Sequence, residues 1–384
     1  MLFEETMLYR PGDLGYHECR TPVLLATQDG TILAFNEARK FTGRDSDQVD
    51  LFLRRSTDCG RTFGDVQVVA SEDGWVSGNP APVQDHDTGA IQLLFCKHPS
   101  DDPGRTPVNS TGEIEVVKGH LPRTVWITRS TDDGATWSEP TEITDQVKEP
   151  SWTWYATGPC HGIQLENGRL LVPCDHTEGN EHNHEISGRS HVVYSDDHGE
   201  SWRIGGIAQA GTNESVIVQT GDGRLYLNCR NYVRDTSTGE RMNRRAYAWS
   251  RDNGKNFTDF GVDEALVGSV CQAGMIRLSD GSVTRPDRED QNWVLFTNPT
   301  GMIDGRYDRL ELTVRLSYDG CLTWPVSRVI CDGPSAYSDL CIASDGTICC
   351  LYERGSEGGV SEYSGSIVLA RFDLEWLLRG RGIV

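Results

Sequence analysis

The chain has 384 residues and a formal net charge of −21 at pH 7. This excess of acidic groups argues against nucleic acid and anionic membrane surfaces as partners, because both carry negative charge. No apolar run is long enough to span a bilayer, and the acidic N-terminal residues do not resemble a signal peptide. The sequence as written therefore predicts a single cytoplasmic domain over residues 1–384, secreted only if an N-terminal signal was trimmed. The twelve cysteines are expected to be reduced and buried.

Predicted β-hairpins recur along the chain, each with an acidic or Asn residue near a turn glycine. They are centred on Gly30, Gly89, Gly168, Gly223, Gly281 and Gly346. Such pairs between strand-like runs are the strongest hairpin signal in a single sequence. Six hairpins predict six repeating units.

A second repeat, S-x-D-x-G-x-[TS]-[WF] or a near copy, follows each of the first five hairpins. Its copies begin at Ser56, Ser130, Ser195, Ser250 and Ser317. The serine, aspartate and glycine suit a tight turn, and the aromatic residue is expected to pack inside. The fourth copy has Asn256 and Phe257 at its end, and the fifth has Cys321 in the glycine position.

Together the two repeats predict an all-β fold, a six-bladed β-propeller with four antiparallel strands in each blade. The hairpin would join the first two strands of a blade, and the aspartate turn would join the last two. Both kinds of turn would then lie on the same side of the ring.

Several polar residues lie about one strand length away from these turns, at the opposite ends of the strands. They are Arg20, Arg39, Asp45, Glu214, Arg230, Arg309, Tyr337 and Glu353. Because they come from separate units and point to one face near the axis, they form a candidate site.

The chain resembles the sialidase (neuraminidase) superfamily of six-bladed propellers with Asp-box repeats, in particular exo-α-sialidases of bacterial type. The motifs that carry the resemblance cover nearly the whole chain. They are Arg20-Thr21-Pro22, E-A-R ending at Arg39, the stretch from Asp45 through Asp50-Leu51 to Ser56, Gly78-Asn79-Pro80, Gly158 to Gly162, Asn213-Glu214-Ser215, L-N-C-R ending at Arg230, Arg309 before L-T-V-R-L-S, Tyr337 to Leu340, and Leu351-Tyr352-Glu353.

The resemblance implies that Arg20, Arg230 and Arg309 bind the carboxylate of sialic acid, as paired guanidinium hydrogen bonds allow. Glu353 would orient Arg20. Tyr337 would be the nucleophile, since a second carboxylate would be repelled by the substrate's own. Glu214 would act as base to Tyr337, with the arginines lowering the pKa of the phenol.

Two assignments stay open at this point. Asp45 would be the general acid and base, but Asp47 lies in the same polar loop and is the alternative. Arg39 would contact the sugar beside its ring hydroxyls, or else form a structural ion pair.

Two further clusters have competing interpretations. One cluster favours a solvated insertion over a metal site, because no pair in it has the spacing of helical ligands. Its members are His176, His182, His184 and His191, with Asp175 and Glu178. Trp152, Trp154 and Tyr155 would either stack on a sugar at the rim or pack between blades.

The sequence thus predicts an exo-α-sialidase that removes terminal α-linked sialic acids with retention, through a covalent tyrosyl intermediate and without cofactor or metal. Its partners would be sialylated oligosaccharides, glycoproteins and gangliosides. The alternatives are a trans-sialidase and a non-catalytic sialoglycan-binding propeller. Departures from the family pattern at Cys19, Thr21 and Cys160 are expected to reshape the pocket.

Overall fold

The computed structural model describes residues 1–100, 123–179, 183–278, 292–355 and 365–379, and their regular structure is almost entirely β. The strands are β1 (Phe3–Tyr9), β2 (Glu18–Ala26), β3 (Ile32–Arg39), β4 (Val49–Ser56), β5 (Gln67–Ala70), β6 (Trp75–Gln84), β7 (Ile91–Pro99), β8 (Thr124–Ser130), β9 (Thr141–Glu142), β10 (Trp152–Thr157), β11 (Ile163–Gln164), β12 (Leu170–Glu178), β13 (Gly188–Ser195), β14 (Arg203–Ala210), β15 (Thr212–Gln219), β16 (Leu225–Asn231), β17 (Arg244–Ser250), β18 (Thr258–Val267), β19 (Gly274–Arg277), β20 (Val294–Pro299), β21 (Met302–Ile303), β22 (Arg306–Tyr307), β23 (Leu310–Ser317), β24 (Val326–Ile342), β25 (Ile348–Gly355) and β26 (Gly365–Phe372). The helical segments are a 3₁₀ turn (Asp13–Gly15), α1 (Thr144–Val147) and α2 (Leu374–Leu378). The predicted all-β class is confirmed.

The antiparallel pairs fall into groups that follow chain order. The groups are β2 to β5, β6 to β9, β10 to β14, β15 to β18, β19 with β20, β23 and the start of β24, and the end of β24 with β25, β26 and β1. In the third group, β10 and β11 both pair with β12, so its first strand is interrupted. This pairing is consistent with the six four-stranded blades that the repeats predict.

The last group contains both the first and the last strand of the described chain. Strand β1 pairs antiparallel with β26, with Phe3 opposite Phe372. The sequence analysis assigned no partner to the N-terminal segment. β1 forms the outer edge of the last sheet, where it is hydrogen-bonded to β26.

Apolar residues pack between consecutive groups of strands. Six clusters of buried side chains each join two neighbouring groups, and one of them joins the last group to the first. Leu24 and Leu369, for example, share that closing cluster. The strands therefore form a closed ring whose core lies between the blades.

The aspartate turns form the same hydrogen bonds in all five copies. In the second copy, Ser130 Oγ donates to Asp132 Oδ1 at 2.8 Å and accepts from Gly134 N at 2.9 Å. Asp132 then accepts from the backbone N and the Oγ1 of Thr136, at 2.8 and 2.6 Å. The aromatic residue that follows packs against the core, as Trp202 and Phe257 show at 2% and 6% exposure.

The fifth turn keeps this geometry without its glycine. Cys321 N donates to Ser317 Oγ at 2.9 Å, and Cys321 has φ +70°. The preceding residue, Gly320, also has φ +70°, where the other turns have a larger residue with positive φ. The glycine has therefore moved by one position while the backbone path is retained.

Hairpin turns and aspartate turns lie on the same side of the ring, as predicted. Arg61, in the first aspartate turn, donates to Asp345 beside Gly346 at 3.0 Å. Arg169, beside Gly168, donates to the carbonyl of Asn253 in the fourth aspartate turn at 2.7 Å. The hairpin predicted at Gly281 lies outside the described residues.

The twelve cysteines are free, and all except Cys59 are buried. No helix among the described residues is long and apolar enough to cross a membrane.

Candidate active site

A cavity opens at the ends of the strands opposite to the turns. Its lining includes seven of the eight predicted site residues: Arg20, Arg39, Asp45, Glu214, Arg230, Arg309 and Tyr337. The eighth, Glu353, is fully buried directly behind them. Residues from distant parts of the chain therefore meet at one place.

Local irregularities in the first strands of the blades place several of these side chains. The register of β2 with β3 shifts after Arg20, and that of β15 with β16 shifts around Glu214. The register of β24 with β25 shifts around Tyr337 in the same way. A β-bulge bends a strand and re-aims its side chains, which is why bulges are common next to active sites.

The hydroxyl of Tyr337 lies between a carboxylate and a guanidinium. It donates a short hydrogen bond to Glu214 Oε1 and accepts one from Arg230 Nη1 at 3.0 Å. Arg230 Nη1 also donates to Glu214 Oε2 at 2.5 Å. The three side chains thus form one hydrogen-bonded unit.

The arginines lower the pKa of this phenol, as predicted, but they do not determine the direction of its net shift. Burial and the adjacent carboxylate of Glu214 raise the pKa of Tyr337 well above its usual value. The charges of Arg230 and Arg309 act in the opposite direction but do not outweigh these two effects. Tyr337 is therefore a neutral phenol at neutral pH.

Glu353 links Arg20 to the backbone that carries Tyr337. Its Oε1 accepts from Arg20 Nε at 2.7 Å and from Thr21 N at 2.9 Å. Its Oε2 accepts from Tyr337 N at 3.1 Å. Although burial opposes ionisation, Arg20 and these donors lower the pKa of Glu353, so the carboxylate is charged and holds both partners.

Arg309 approaches the other side of the phenol. It directly precedes β23, and its guanidinium carbon lies 5.4 Å from the centre of the Tyr337 ring. Its Nη2 donates to the carbonyl of Val270 at 3.3 Å. All three arginines of the predicted triad are therefore grouped around Tyr337.

The two candidate aspartates occupy different environments. Asp47 is buried and accepts hydrogen bonds from the backbone N atoms of Phe41, Thr42 and Gln48, which fold the loop. Asp45 lines the cavity instead. Asp45 as a residue is exposed; desolvation of its carboxylate against the cavity wall would raise its pKa, but the positive charges nearby, first that of Arg39, lower it.

Arg39 forms the structural ion pair that was one of its two predicted interpretations. Its Nη2 donates to Glu37 Oε2 at 2.9 Å, and its Nη1 donates to the carbonyl of Gly43 at 2.6 Å. It is a buried ion pair and also part of the cavity wall.

Comparison with known proteins agrees with this fold. The family model described as a BNR repeat-like domain matches residues 30–350. This chain belongs to that family. A sialidase of Micromonospora viridifaciens is 31% identical, with 98% of this chain and 54% of that protein covered. A sialidase of Bacteroides fragilis (strain YCH46) is 30% identical, with 89% and 61% covered.

Among solved structures, the Hadza microbial sialidase Hz136 is similar with a TM-score of 0.77 and 28% identity, covering 96% of this chain and 68% of that chain. The resemblance to the sialidase superfamily and its propeller fold is therefore confirmed. This BNR-repeat chain spans 54% and 61% of the length of the two bacterial relatives.

The cavity of this BNR-repeat protein contains residues that the sequence analysis missed. Arg123 directly precedes β8 and stacks on Trp154, with its guanidinium carbon 3.3 Å from the ring centre. Arg123 stands before the aspartate turn at Ser130 much as Arg309 stands before the turn at Ser317. That equivalence between repeats could have identified it.

Asp175 also belongs to the cavity, whereas the sequence analysis considered it only as a possible metal ligand. It is fully buried at the cavity wall, and neither of its oxygens has a hydrogen-bond partner among the described residues. Burial and the carboxylate of Glu214 raise its pKa well above the usual range, and Arg123, Arg230 and Trp154 only partly offset this. The surroundings of Asp175 therefore favour its neutral form.

The interpretation of the histidines as a solvated insertion is wrong for two of them. His176 and His191 lie on the paired strands β12 and β13, are fully buried, and have their Nδ1 atoms 3.0 Å apart. The sequence analysis did not recognise these strands, because their many polar side chains do not follow the alternation typical of a strand. His184 lines the cavity, and His182 lies outside the described residues.

The packing interpretation of the aromatic cluster is confirmed for two of its three residues. Trp152 is 6% exposed, packs in the core and stacks on His176, and Tyr155 is fully buried. Trp154 alone lines the cavity.

One group of possible metal ligands lies away from the cavity. Asp85, Asp87 and His198 are close together among the turns. Asp85 is already occupied, because it accepts hydrogen bonds from Thr88, Gln164 and His198. We assign no metal to this group.

Proposed function

We propose that this protein is an exo-α-sialidase that hydrolyses terminal α-linked sialic acids of glycans with retention, through a covalent tyrosyl intermediate. One observation carries the proposal: the Tyr337 hydroxyl is hydrogen-bonded to both Glu214 and Arg230, inside a cavity that Arg20 and Arg309 also line. A phenol held by a base and surrounded by arginines suits a substrate whose anomeric carbon bears a carboxylate.

The arginines would bind the substrate carboxylate. Arg20 is fixed through Glu353, and Arg230 is fixed through Glu214, so their guanidinium planes are held before the sugar arrives. Preorganised charge-assisted hydrogen bonds avoid part of the ordering cost of binding. Lysine could not reproduce these planar, paired contacts.

In the first step, the Tyr337 oxygen attacks the anomeric carbon while its proton passes to Glu214. The bond from the anomeric carbon to the leaving oxygen breaks, and Asp45 gives that oxygen a proton. In the second step, the Asp45 carboxylate takes a proton from water, and the water oxygen displaces Tyr337. The proton held by Glu214 returns to the phenolate, so the protein is regenerated.

The neutral state of Tyr337 is compatible with this sequence. The short hydrogen bond to Glu214 provides the route by which the proton leaves during attack. When a substrate carboxylate binds the arginines, it adds further negative charge beside the phenol. Proton transfer concerted with attack then avoids a free phenolate next to two carboxylates.

The test uses an umbelliferyl α-sialoside and proton NMR. The unmodified protein should release the fluorophore, and the α-anomer of the free sugar should appear first. Tyr337→Phe should lose this activity, whereas Tyr194→Phe, which changes a tyrosine stacked on Arg169 away from the cavity, should retain it.

Other outcomes would contradict the proposal in specific ways. Appearance of the β-anomer first would exclude retention. Predominant transfer to added lactose would indicate a trans-sialidase, and binding of sialosides without turnover would indicate a lectin-like propeller.

A further inference from the structure

The backbone that carries Tyr337 is held by buried side chains. Tyr337 lies where the register of β24 with β25 shifts, and such a shift disrupts the ladder of backbone hydrogen bonds. Tyr337 N donates to Glu353 Oε2 at 3.1 Å, and the next amide, Ser338 N, donates to Gln272 Oε1 at 3.0 Å. The proposed reaction uses Glu353 through Arg20 but gives no role to Gln272.

Gln272 connects the strand of Tyr337 to the group of strands β10 to β14. Its side chain is 1% exposed, and its Nε2 donates to the carbonyl of Pro159 at 3.0 Å, between β10 and β11. Backbone groups therefore occupy both ends of the carboxamide, which fixes its orientation. A buried amide held in this way keeps Ser338 and Pro159 at a constant separation.

Gly274 brings the same segment against the strand of Tyr337. A Cβ atom at this position would lie 2.9 Å from the carbonyl oxygen of Ser338 and 2.9 Å from Asp339 Cα. Both contacts are with backbone atoms, and both distances are shorter than a Cβ atom tolerates, so the approach requires glycine. Gln272 and Gly274 therefore both contact the two residues that follow Tyr337.

The same segment, residues 270–274, also holds an arginine of the predicted triad. The carbonyl of Val270 accepts from Arg309 Nη2 at 3.3 Å. The guanidinium carbon of Arg309 lies 5.4 Å from the centre of the Tyr337 ring. Five consecutive residues thus contact both a guanidinium of the cavity and the backbone next to the phenol.

Segment 270–274 is anchored to the strand that carries Arg230. The carbonyl of Cys271 accepts from Arg245 Nη1 at 2.5 Å. Arg245 is 3% exposed, and its Nε donates to Asn228 Oδ1 on β16 at 2.7 Å. The position of the segment is therefore fixed relative to Arg230 as well.

We infer that segment 270–274 sets the position of the Tyr337 hydroxyl relative to the arginines, with Gln272 as its main positioning residue. This inference rests on the proposed function. Gln272 acts through the backbone at Ser338, because backbone groups occupy its carboxamide. The phenol oxygen must lie in line with the anomeric carbon while the arginines hold the carboxylate, and a displacement of about 1 Å can lower the rate about 100-fold.

The experiment compares Gln272→Met with the matched control Gln84→Met. Methionine has a similar length but cannot form the two amide hydrogen bonds. Gln84 is 5% exposed and also joins two backbone groups, accepting from Gln28 N at 2.8 Å and donating to the Gly89 carbonyl at 3.1 Å, on the face of the turns. Both variants should lower the midpoint of urea unfolding by similar amounts.

A 3-fluorosialosyl fluoride isolates the first step of the reaction. The Tyr337 oxygen displaces fluoride ion, its proton passes to Glu214, and the fluorine on C3 slows hydrolysis of the tyrosyl adduct, which mass spectrometry detects. In Gln272→Met, we expect the rate of adduct formation and kcat/KM for the umbelliferyl sialoside to fall by about tenfold to a hundredfold. The Kd of a 2,3-unsaturated sialic acid should change little, because the arginines remain. Gln84→Met should match the unmodified protein in all three measurements.

Gly274→Ala tests the same positioning through a different physical effect. The added methyl group pushes on the backbone of Ser338 and Asp339 without removing a hydrogen bond. Adduct formation should again slow while binding of the unsaturated sugar is retained. This variant decides the question where Gln272→Met does not fold.

Three outcomes would overturn this inference while leaving an active sialidase. The first is an unchanged rate of adduct formation in Gln272→Met, or in Gly274→Ala where Gln272→Met does not fold. The second is an equal loss in Gln84→Met, and the third is a rise in Kd that accounts for the whole fall in kcat/KM. Absence of turnover, of adduct formation and of binding in the unmodified protein would instead overturn the proposed function.

Discussion

The two faces of the ring are built in different ways. On the face of the turns, each aspartate turn is complete within eight consecutive residues, and its hydrogen bonds repeat from copy to copy. On the face of the cavity, the important contacts join residues far apart in the chain, such as Tyr337 with Glu214. Local repetition maintains the scaffold, while single, non-repeated contacts form the site. Substitutions on the two faces should therefore affect different properties.

The largest effect is expected for Glu214→Gln. The amide cannot accept the Tyr337 proton, so kcat should fall by about 10²-fold to 10⁴-fold, as for other lost general bases. Steady-state kinetics on the umbelliferyl sialoside would measure this. The melting temperature should also fall, because buried Arg230 loses its charge partner although the amide oxygen still accepts its hydrogen bond, so kcat is measured well below the unfolding transition. A variant with near-normal kcat would show that Glu214 is not the base.

Asp132→Ala tests the other face. It removes the acceptor for Ser130 and Thr136, and the free energy of unfolding should fall by about 1–2 kcal/mol. KM for the sialoside should remain unchanged, since the turn lies away from the cavity. Urea unfolding measures the first quantity, and a raised KM would contradict the separation of the two faces.

The pH dependence of Asp132→Ala provides a further check on the same residue. The hydrogen bonds to Thr136 lower the pKa of Asp132 to about 2. Because this pKa is depressed in the folded protein, the stabilisation exists above the unfolded value near 4 and is lost as pH falls toward 2. The difference in stability between the two proteins should therefore narrow over that interval.

Arg123→Met should also move the pH profile of the reaction. Removing a positive charge near Asp45 raises the pKa of that carboxyl, whose value is lowered by Arg39 and Arg123. Asp45 then stays protonated to higher pH, so the descending alkaline limb of kcat/KM should shift upward. If the alkaline limb stays in place or moves to lower pH, Arg123 does not lower the pKa of the general acid.

The smallest effect is expected for Cys321→Gly. Glycine relieves the cost of positive φ at this position but removes a side chain that packs with Trp324. Because these terms oppose each other, the free energy of unfolding should change by less than about 1 kcal/mol. Denaturant titration beside the unmodified protein would test it, and a loss of several kcal/mol would show that the core contact dominates.

The two faces also differ in how much of their structure could be predicted from the sequence. The aspartate turns and hairpins could be predicted because a few adjacent residues determine their conformation. The predicted site residues also come together, since their distance from the turns is fixed by strand length. Arg123 could have been found in this way, from its position before the turn at Ser130. The environment of Asp175 could not, because it depends on the packing that buries this residue.

The bulges around Glu214 and Tyr337 could not be predicted from the sequence either. A bulge is set by the pairing of two strands and leaves no clear signal in either sequence alone. The net pKa of Tyr337 could not be predicted for a related reason: burial and charge act in opposite directions, and their balance requires coordinates.

The pairing of β1 with β26 has a consequence for biosynthesis. β1 is synthesised more than 350 residues before β26, the strand with which it pairs. Until β26 is available, the edge of β1 is unpaired and can associate with other strands. Closure of the ring therefore cannot take place before β26 has been synthesised. Deleting β1 would leave the outer edge of β26 bare in the finished molecule, and such a truncated protein is expected to aggregate.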